Sequence, residues 1–261
     1  MTRPSYALIT GASRGLGKYF ARALAARKHN LVLVSRSKEK LETLASELSA
    51  AHGIKVQTFQ LDLARTDAPE RLTDELNQRD LQIDLLVNNA GFGDQGRFHE
   101  LPLARQLEMI TLQNGTVVDL THRLLPSMIE QHKGGIINVS SMAGFQPIPF
   151  AAIYSATKSF LTTFSLALEA EVRRYGIAVV TICPARLRAD PEETDITTPR
   201  KRVPGKEQAH EDVVRETLKM LDRGGGLLIP GGLNKFIAVA VGLVPRSKIA
   251  RLVKKLSQPQ G

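Results

Sequence analysis

The sequence predicts an α/β fold: a single doubly wound domain of about seven parallel strands with helices on both faces. Three observations predict it. Short apolar runs alternate with helical patterns of crossover length along most of the chain. The first run passes through a glycine-rich turn, Thr10 to Gly17, straight into a helical pattern. The fourth run ends in Asn88, Asn89, Ala90 and Gly91, small residues and amides that suit a cleft floor at the carboxyl end of a strand. No internal repeat interrupts the pattern. The expected organisation is a domain over residues 1–232, with a loop at about 184–209, and a basic helical tail over 233–261.

Tyr6 to Thr10 is a buried strand bounded by Gly11. The turn that follows has the spacing Gly11-x-x-x-Gly15-x-Gly17. Glycine there permits a tight turn and close backbone approach to a pyrophosphate. The helix start supplies free N–H groups to the same anion. The helix runs to about Lys28, with Leu16, Phe20, Ala23 and Leu24 on one face. The second strand, Leu31 to Ser35, ends in Ser35-Arg36 where a dinucleotide fold commonly carries a ribose-binding acid. An arginine there can pair with a 2′-phosphate, and Arg14 can reach the same group. NADPH is therefore expected in preference to NADH. Two solvated arginines are the plainer alternative.

A polar helix, Lys38 to His52, leads to a third strand, Lys55 to Gln60. Asp62 follows it, either bonding an adenine amino group or capping the loop. A helix from Pro69 to Arg79 precedes the fourth strand, Ile83 to Val87. The long helical stretch from Leu103 to His132 carries Asn114, a poor interior helix residue that marks a kink or an internal water. The fifth strand, Gly135 to Ser140, is followed by Ser141. On the next helix, Ala151 to Tyr175, Tyr154 and Lys158 sit one turn apart. An ammonium beside a phenol favours the phenolate, so a lowered Tyr154 pKa is expected. The sixth strand, Ile177 to Cys183, a loop from Pro184 to Gly205, a helix from His210 to Arg223 and a strand from Leu227 to Ile229 complete the domain. In the tail, Ile249, Leu252, Val253 and Leu256 share one helical face, with Arg246, Lys248, Arg251, Lys254 and Lys255 elsewhere. That helix is expected to dock on the protein or a partner subunit, with an anionic membrane surface as the alternative.

Composition narrows the class. Cys183 is the single cysteine, so no intrachain disulfide can form. The N-terminal residues run directly into a strand without the apolar core of a signal peptide, and a cytoplasmic location is expected. The net charge of +9 favours anionic partners, yet zinc-ligand spacing and aromatic RNA-binding signatures are lacking. Neither nucleic acid nor metal is expected.

With TGASRGLG, NNAG, Asn114, Ser141 and Tyr154-x-x-x-Lys158 in this order, the chain resembles the short-chain dehydrogenase/reductase family. The likeness is clear over about residues 5–185 and weaker to about 231. It implies a Rossmann-type domain, a homodimer or homotetramer, and hydride transfer between a nicotinamide and a carbonyl or secondary alcohol. It implies cofactor contacts from Gly11, Ser13, Arg14, Gly15, Leu16 and Gly17 in the loop. Ser35, Arg36, Asp62, Leu63, Asn88, Ala90, Gly91, Pro184, Tyr154 and Lys158 join them. It makes Tyr154 the proton donor or acceptor, Ser141 the residue steadying the substrate oxygen, and Lys158 the aid to both tyrosine and ribose. Asn114 would hold a water that relays protons to Lys158. The family's usual Pro-Gly-x-x-x-Thr after the sixth strand is here Pro184-Ala-Arg-Leu-Arg-Ala189, which puts a nicotinamide contact in doubt. Phe92, Met142, Phe145, Ile148 and Phe150 favour a bulky apolar ketone as substrate. Arg186 and Arg188 allow an acidic or thioester one. The alternative from another class is a dinucleotide-binding sensor or scaffold with little catalysis.

Overall fold

In the computed structural model the chain is described over residues 4–189 and 207–257. The strands are β1 (Ser5–Thr10), β2 (Asn30–Ser35), β3 (Val56–Gln60), β4 (Gln82–Asn88), β5 (Gly134–Val139), β6 (Ile177–Ile182) and β7 (Gly225–Leu228). They form one 7-stranded parallel sheet in the order β3-β2-β1-β4-β5-β6-β7. Helices α1 (Gly15–Ala26), α2 (Lys38–His52) and α7 (His210–Asp222) contribute to one apolar core. Helices α3 (Ala68–Gln78), α5 (Thr116–Glu130) and α6 (Ala152–Val172) contribute to the other. Strand alternation sorts the residues between them. Ala7, Ile9, Leu31 and Leu33 belong to the first core, and Leu8, Val32 and Val34 to the second. A sheet covered on both faces needs such continuous apolar strands.

From β1 the chain winds outward to β2 and β3, then returns to lay β4 on the opposite side of β1. That reversal opens a crevice outside the carboxyl ends of β1 and β4. The helical stretch predicted from Leu103 to His132 is two helices, α4 (Leu103–Ile110) and α5, joined by a π-helical turn at Thr111–Gly115. Asn114 sits in that turn. One-turn π segments occur where an extra residue is fitted into a helix, often at functional sites.

Two helices follow β7, α8 (Gly232–Gly242) and α9 (Arg246–Ser257). Sequence patterning picked out the amphipathic face of α9 alone. Ala238 of α8 is buried with Cys183 and Ile229, and Met142 and Phe145 pack against this cluster. On α9, Ile249 is buried while Leu252, predicted on the same docking face, is 61% exposed. Residues 190–206 of the predicted substrate loop, and the side chains of Lys255 and Leu256, lie outside the described residues.

Candidate active site

The β1–α1 turn is stapled to the end of β4. Thr10 Oγ1 donates to the Val87 carbonyl at 3.2 Å and accepts from the N–H groups of Asn89 and Ala90 at 2.9 and 3.0 Å. Asn89 Nδ2 donates to the carbonyls of Thr10 (2.9 Å) and Gly11 (3.1 Å). Gly11 takes a φ of +64°, the left-handed region that glycine tolerates best. A Cβ on Gly17 would lie 2.2 Å from the Gly11 carbonyl oxygen, so glycine there lets α1 approach the turn. The first turn of α1 has no side-chain cap and no acidic residue, which leaves its N–H groups for an anion.

A cleft of about 750 Å³ opens at this point. Of the predicted contacts, Gly11, Ser13, Arg14, Gly15, Leu16, Ser35, Arg36, Asp62, Leu63, Ala90 and Gly91 line it. Gly17, Asn88, Tyr154, Lys158 and Pro184, also predicted as contacts, are not among its lining residues. Asn88 is 3% exposed and donates instead to Asn138 Oδ1 at 2.8 Å and Thr121 Oγ1 at 3.4 Å, beneath the cleft. Adjacent residues at a strand end face opposite ways, so Asn89 takes the cleft side. Gly17 is packed against the turn, and Pro184 presents its carbonyl to the N–H of Met142 at 3.1 Å. The sequence reading also missed Lys40, Arg105 and His210, which line the cleft from three different helices.

At the β2 end, Ser35 accepts a hydrogen bond from the Ser37 N–H at 3.2 Å. Arg36 is 62% exposed and lies 3.7 Å from Glu108, whose carboxylate also pairs with Arg105 at 2.8 Å. The Arg105 guanidinium stacks over the Phe92 ring, 3.6 Å from its centre. Asp62 Oδ1 accepts from the Ala64 N–H at 3.1 Å, so it holds its own loop while facing the cleft.

The catalytic candidates meet where β5 ends. Ser140 turns inward, bonding the Lys158 carbonyl at 2.9 Å and the Thr162 hydroxyl at 2.7 Å. Ser141, one residue on, accepts from the Ala143 N–H at 3.1 Å, and its hydroxyl lies near enough to Tyr154 to favour the phenolate. A Cβ on Gly144 would lie 2.7 Å from the Lys158 carbonyl oxygen, so glycine lets the turn after Ser141 rest on α6. Lys158 is 6% exposed, and its Nζ donates to the Val139 carbonyl at 2.8 Å. Burial disfavours its charged form and lowers its pKa to about 8. Tyr154 moves the other way: burial raises its pKa, opposed by the nearby Ser141 hydroxyl. This corrects the expected lowering by Lys158. The ammonium is 5.8 Å from the centre of the Tyr154 ring and is tied to the sheet. Asn114 Nδ2 donates to the Thr157 carbonyl at 3.2 Å, while its Oδ1 is buried with no hydrogen-bond partner.

The altered segment after β6 has its own support. The Gln208 side chain accepts from the Ala185 N–H at 2.9 Å and donates to the Pro230 carbonyl at 2.7 Å. Its backbone bonds both Arg186 and Arg188. Leu187 and Arg188 are thereby held along the cleft.

A nicotinamide dinucleotide fits these residues. The glycine turn is a cradle that a Cβ would fill, and the buried Asn114 Oδ1 still needs a donor. The comparisons agree. The short chain dehydrogenase family profile matches residues 5–199. A very-long-chain 3-oxoacyl-CoA reductase of Phaeosphaeria nodorum is 36% identical over 228 residues, covering 86% of this chain and 65% of the relative. The chain thus spans less than two thirds of that relative's length. Among solved structures, a short-chain dehydrogenase from Sphingobium yanoikuyae in complex with NADPH is 30% identical, with a TM-score of 0.78 over 98% of this chain and 97% of that one. A bulky-bulky ketone specific alcohol dehydrogenase from Comamonas testosteroni is 29% identical, with a TM-score of 0.78 over 98% and 96%. With the fold, the glycine turn, the serine–tyrosine–lysine cluster and these matches in agreement, the chain belongs to the short-chain dehydrogenase/reductase family, oxidoreductases acting on CH–OH and C=O groups.

Proposed function

We propose that this protein is an NADPH-dependent oxidoreductase that interconverts a bulky, mostly apolar carbonyl compound and its secondary alcohol. The observation that carries the reading is the cluster in which the Tyr154 ring lies against Gly93 of the cleft, with Lys158 tied to the Val139 carbonyl and Asn114 bonded to the Thr157 carbonyl. The bound cofactor supplies or accepts hydride. The chain does the rest. Ser141 and Tyr154 donate to the substrate carbonyl oxygen and stabilise the negative charge that develops there. Tyr154, kept neutral by burial, gives its proton to that oxygen. Lys158 and a water on Asn114 Oδ1 restore the proton. The reverse direction uses the same groups in the opposite sense.

NADPH preference rests on the neutral Ser35 and on Arg14, Arg36 and Lys40 at the cleft mouth. The 30% identical neighbour solved with NADPH supports it. Bulky substrates are supported by the apolar Met142 and Phe145 beside the turn that follows Ser141, and by the ketone specificity in the name of the Comamonas testosteroni neighbour. A second reading, a 3-oxoacyl thioester, is favoured by Arg188 on the cleft and by the name of the 36% identical relative. A second copy of the chain is the proposed partner. Phe160, 46% exposed and stacked on Phe164, and Val118, 38% exposed, offer it an apolar face on α5 and α6. A cytoplasmic location is kept as part of this reading.

The test is cofactor oxidation against cyclic and aromatic ketones, 3-oxoacyl thioesters and small sugars, each with NADPH and NADH. Steady turnover of ketones or thioesters with NADPH is expected. Binding of NADPH without turnover of any carbonyl would favour the sensor or scaffold instead.

A further inference from the structure

An uncovered apolar surface lies on α8 and the residues just after it, at the opposite end of the chain from the glycine turn. Leu233, Phe236 and Leu243 are 65%, 69% and 81% exposed, and Ile237 and Val244 are exposed beside them. Leu233, Phe236 and Ile237, spaced i, i+3 and i+4, share one face of α8, and Leu243 and Val244 follow directly after the helix. The opposite face is the packed one, where Ala238 is buried. A contiguous apolar face of this kind on a folded domain marks an interaction surface.

Charge identifies what covers it. No aspartate or glutamate follows Asp222 in the sequence. Lys235, Arg246, Lys248, Arg251 and Lys254 are all exposed on α8 and α9. A two-fold contact between copies would set this cationic segment against itself. No helix among the described residues is long and apolar enough to cross a membrane. An apolar helical face flanked by exposed cations fits an interface with anionic headgroups, where the apolar side chains enter the acyl boundary and the cations stay at the surface.

We propose that α8 and α9 form a docking surface for an anionic lipid bilayer. The packed side of α8 lies against Met142 and Phe145, just past Ser141. Docking through the outer side therefore brings the catalytic end of the domain to the lipid. The surface is independent of the proposed activity and is tested without a substrate.

The experiment is co-sedimentation of the full chain with vesicles of phosphatidylcholine alone, or of phosphatidylcholine with a third phosphatidylserine. Binding to the anionic vesicles at least about tenfold above neutral ones, and falling as salt rises, is expected. The exposed positions carry little of the fold, so Phe236→Ser with Leu243→Ser, and separately Arg251→Glu with Lys254→Glu, should each weaken binding about tenfold with the thermal midpoint unchanged. Equal or negligible sedimentation with both vesicle types would overturn the proposal. So would variants that bind lipid like the wild type, including a Phe236→Ser, Leu243→Ser protein whose mass in solution falls instead, which would identify a second copy as the occupant.

Discussion

The Lys158 ammonium donates to the main-chain carbonyl of Val139 at 2.8 Å and stands 5.8 Å from the centre of the Tyr154 ring. The end of β5 thus fixes the lysine, and the Ser141 hydroxyl lies near the phenol. Burial moves the two groups in opposite directions, Lys158 down to about 8 and Tyr154 up. Tyr154 therefore carries its proton at neutral pH, ready for carbonyl reduction. The reductive kcat should be flat from about pH 6 to 7, be roughly halved near about 8 as Lys158 loses its proton, and fall further as Tyr154 follows, while alcohol oxidation rises over the alkaline range. Initial rates in both directions across pH check this. A reductive rate that climbs from about pH 7 to 9 would contradict it.

The two adjacent serines should separate chemistry from stability. Ser141→Ala removes a donor to the developing charge and should lower kcat about 10²- to 10³-fold with a near-normal thermal midpoint. Ser140→Ala removes a buried bond to α6 and should cost about 1 kcal/mol of stability with kcat within about threefold. Paired kinetics and thermal melts decide. The reverse pattern would exchange their roles.

Glu108 should oppose NADPH binding. It lies 3.7 Å from Arg36 and competes with a phosphate for that guanidinium. Glu108→Gln should tighten NADPH about threefold to tenfold and leave NADH nearly unchanged. Arg36→Ala should weaken NADPH about tenfold, a modest loss because the side chain is 62% exposed and screened. Titrations of both cofactors against each variant measure this. An Arg36→Ala that weakens both cofactors equally would contradict it.

Gly17→Ala should act through the backbone. Its Cβ would lie 2.2 Å from the Gly11 carbonyl oxygen and 2.6 Å from Asn89 Nδ2. Forcing α1 away should cost about 1–3 kcal/mol of stability and loosen the turn for either cofactor. Denaturant unfolding with dinucleotide titration reads both effects.

These contrasts show what the sequence carried. Apolar alternation in β1 and β2 and the inner stripe of Phe20 and Leu24 were readable because a doubly covered parallel sheet demands them. Asn114 marked its helix as irregular through poor propensity, and the structure has the π turn there. Asn89 was not separable from Asn88, since an unpaired strand end does not reveal which neighbour faces the cleft. Glu108, itself paired with Arg105, reaches Arg36 from α4, a contact that only the folded chain creates. The sign of the Tyr154 shift was lost for a similar reason. The helical spacing to Lys158 was legible, whereas burial and the pull of the Val139 carbonyl are tertiary. The outer face of α8 resembles a core helix in sequence until its packed side, at Ala238, is known.

The central claim is that Tyr154 carries the proton in carbonyl reduction. The measurement that tests it most directly is turnover by Tyr154→Phe on the best carbonyl substrate, with NADPH affinity determined on the same protein. Turnover should fall by about 10³-fold or more, with NADPH affinity within about threefold of the wild type, because phenylalanine keeps the ring against Gly93 and removes the donor. A variant that keeps more than about a tenth of the wild-type kcat would contradict the assignment.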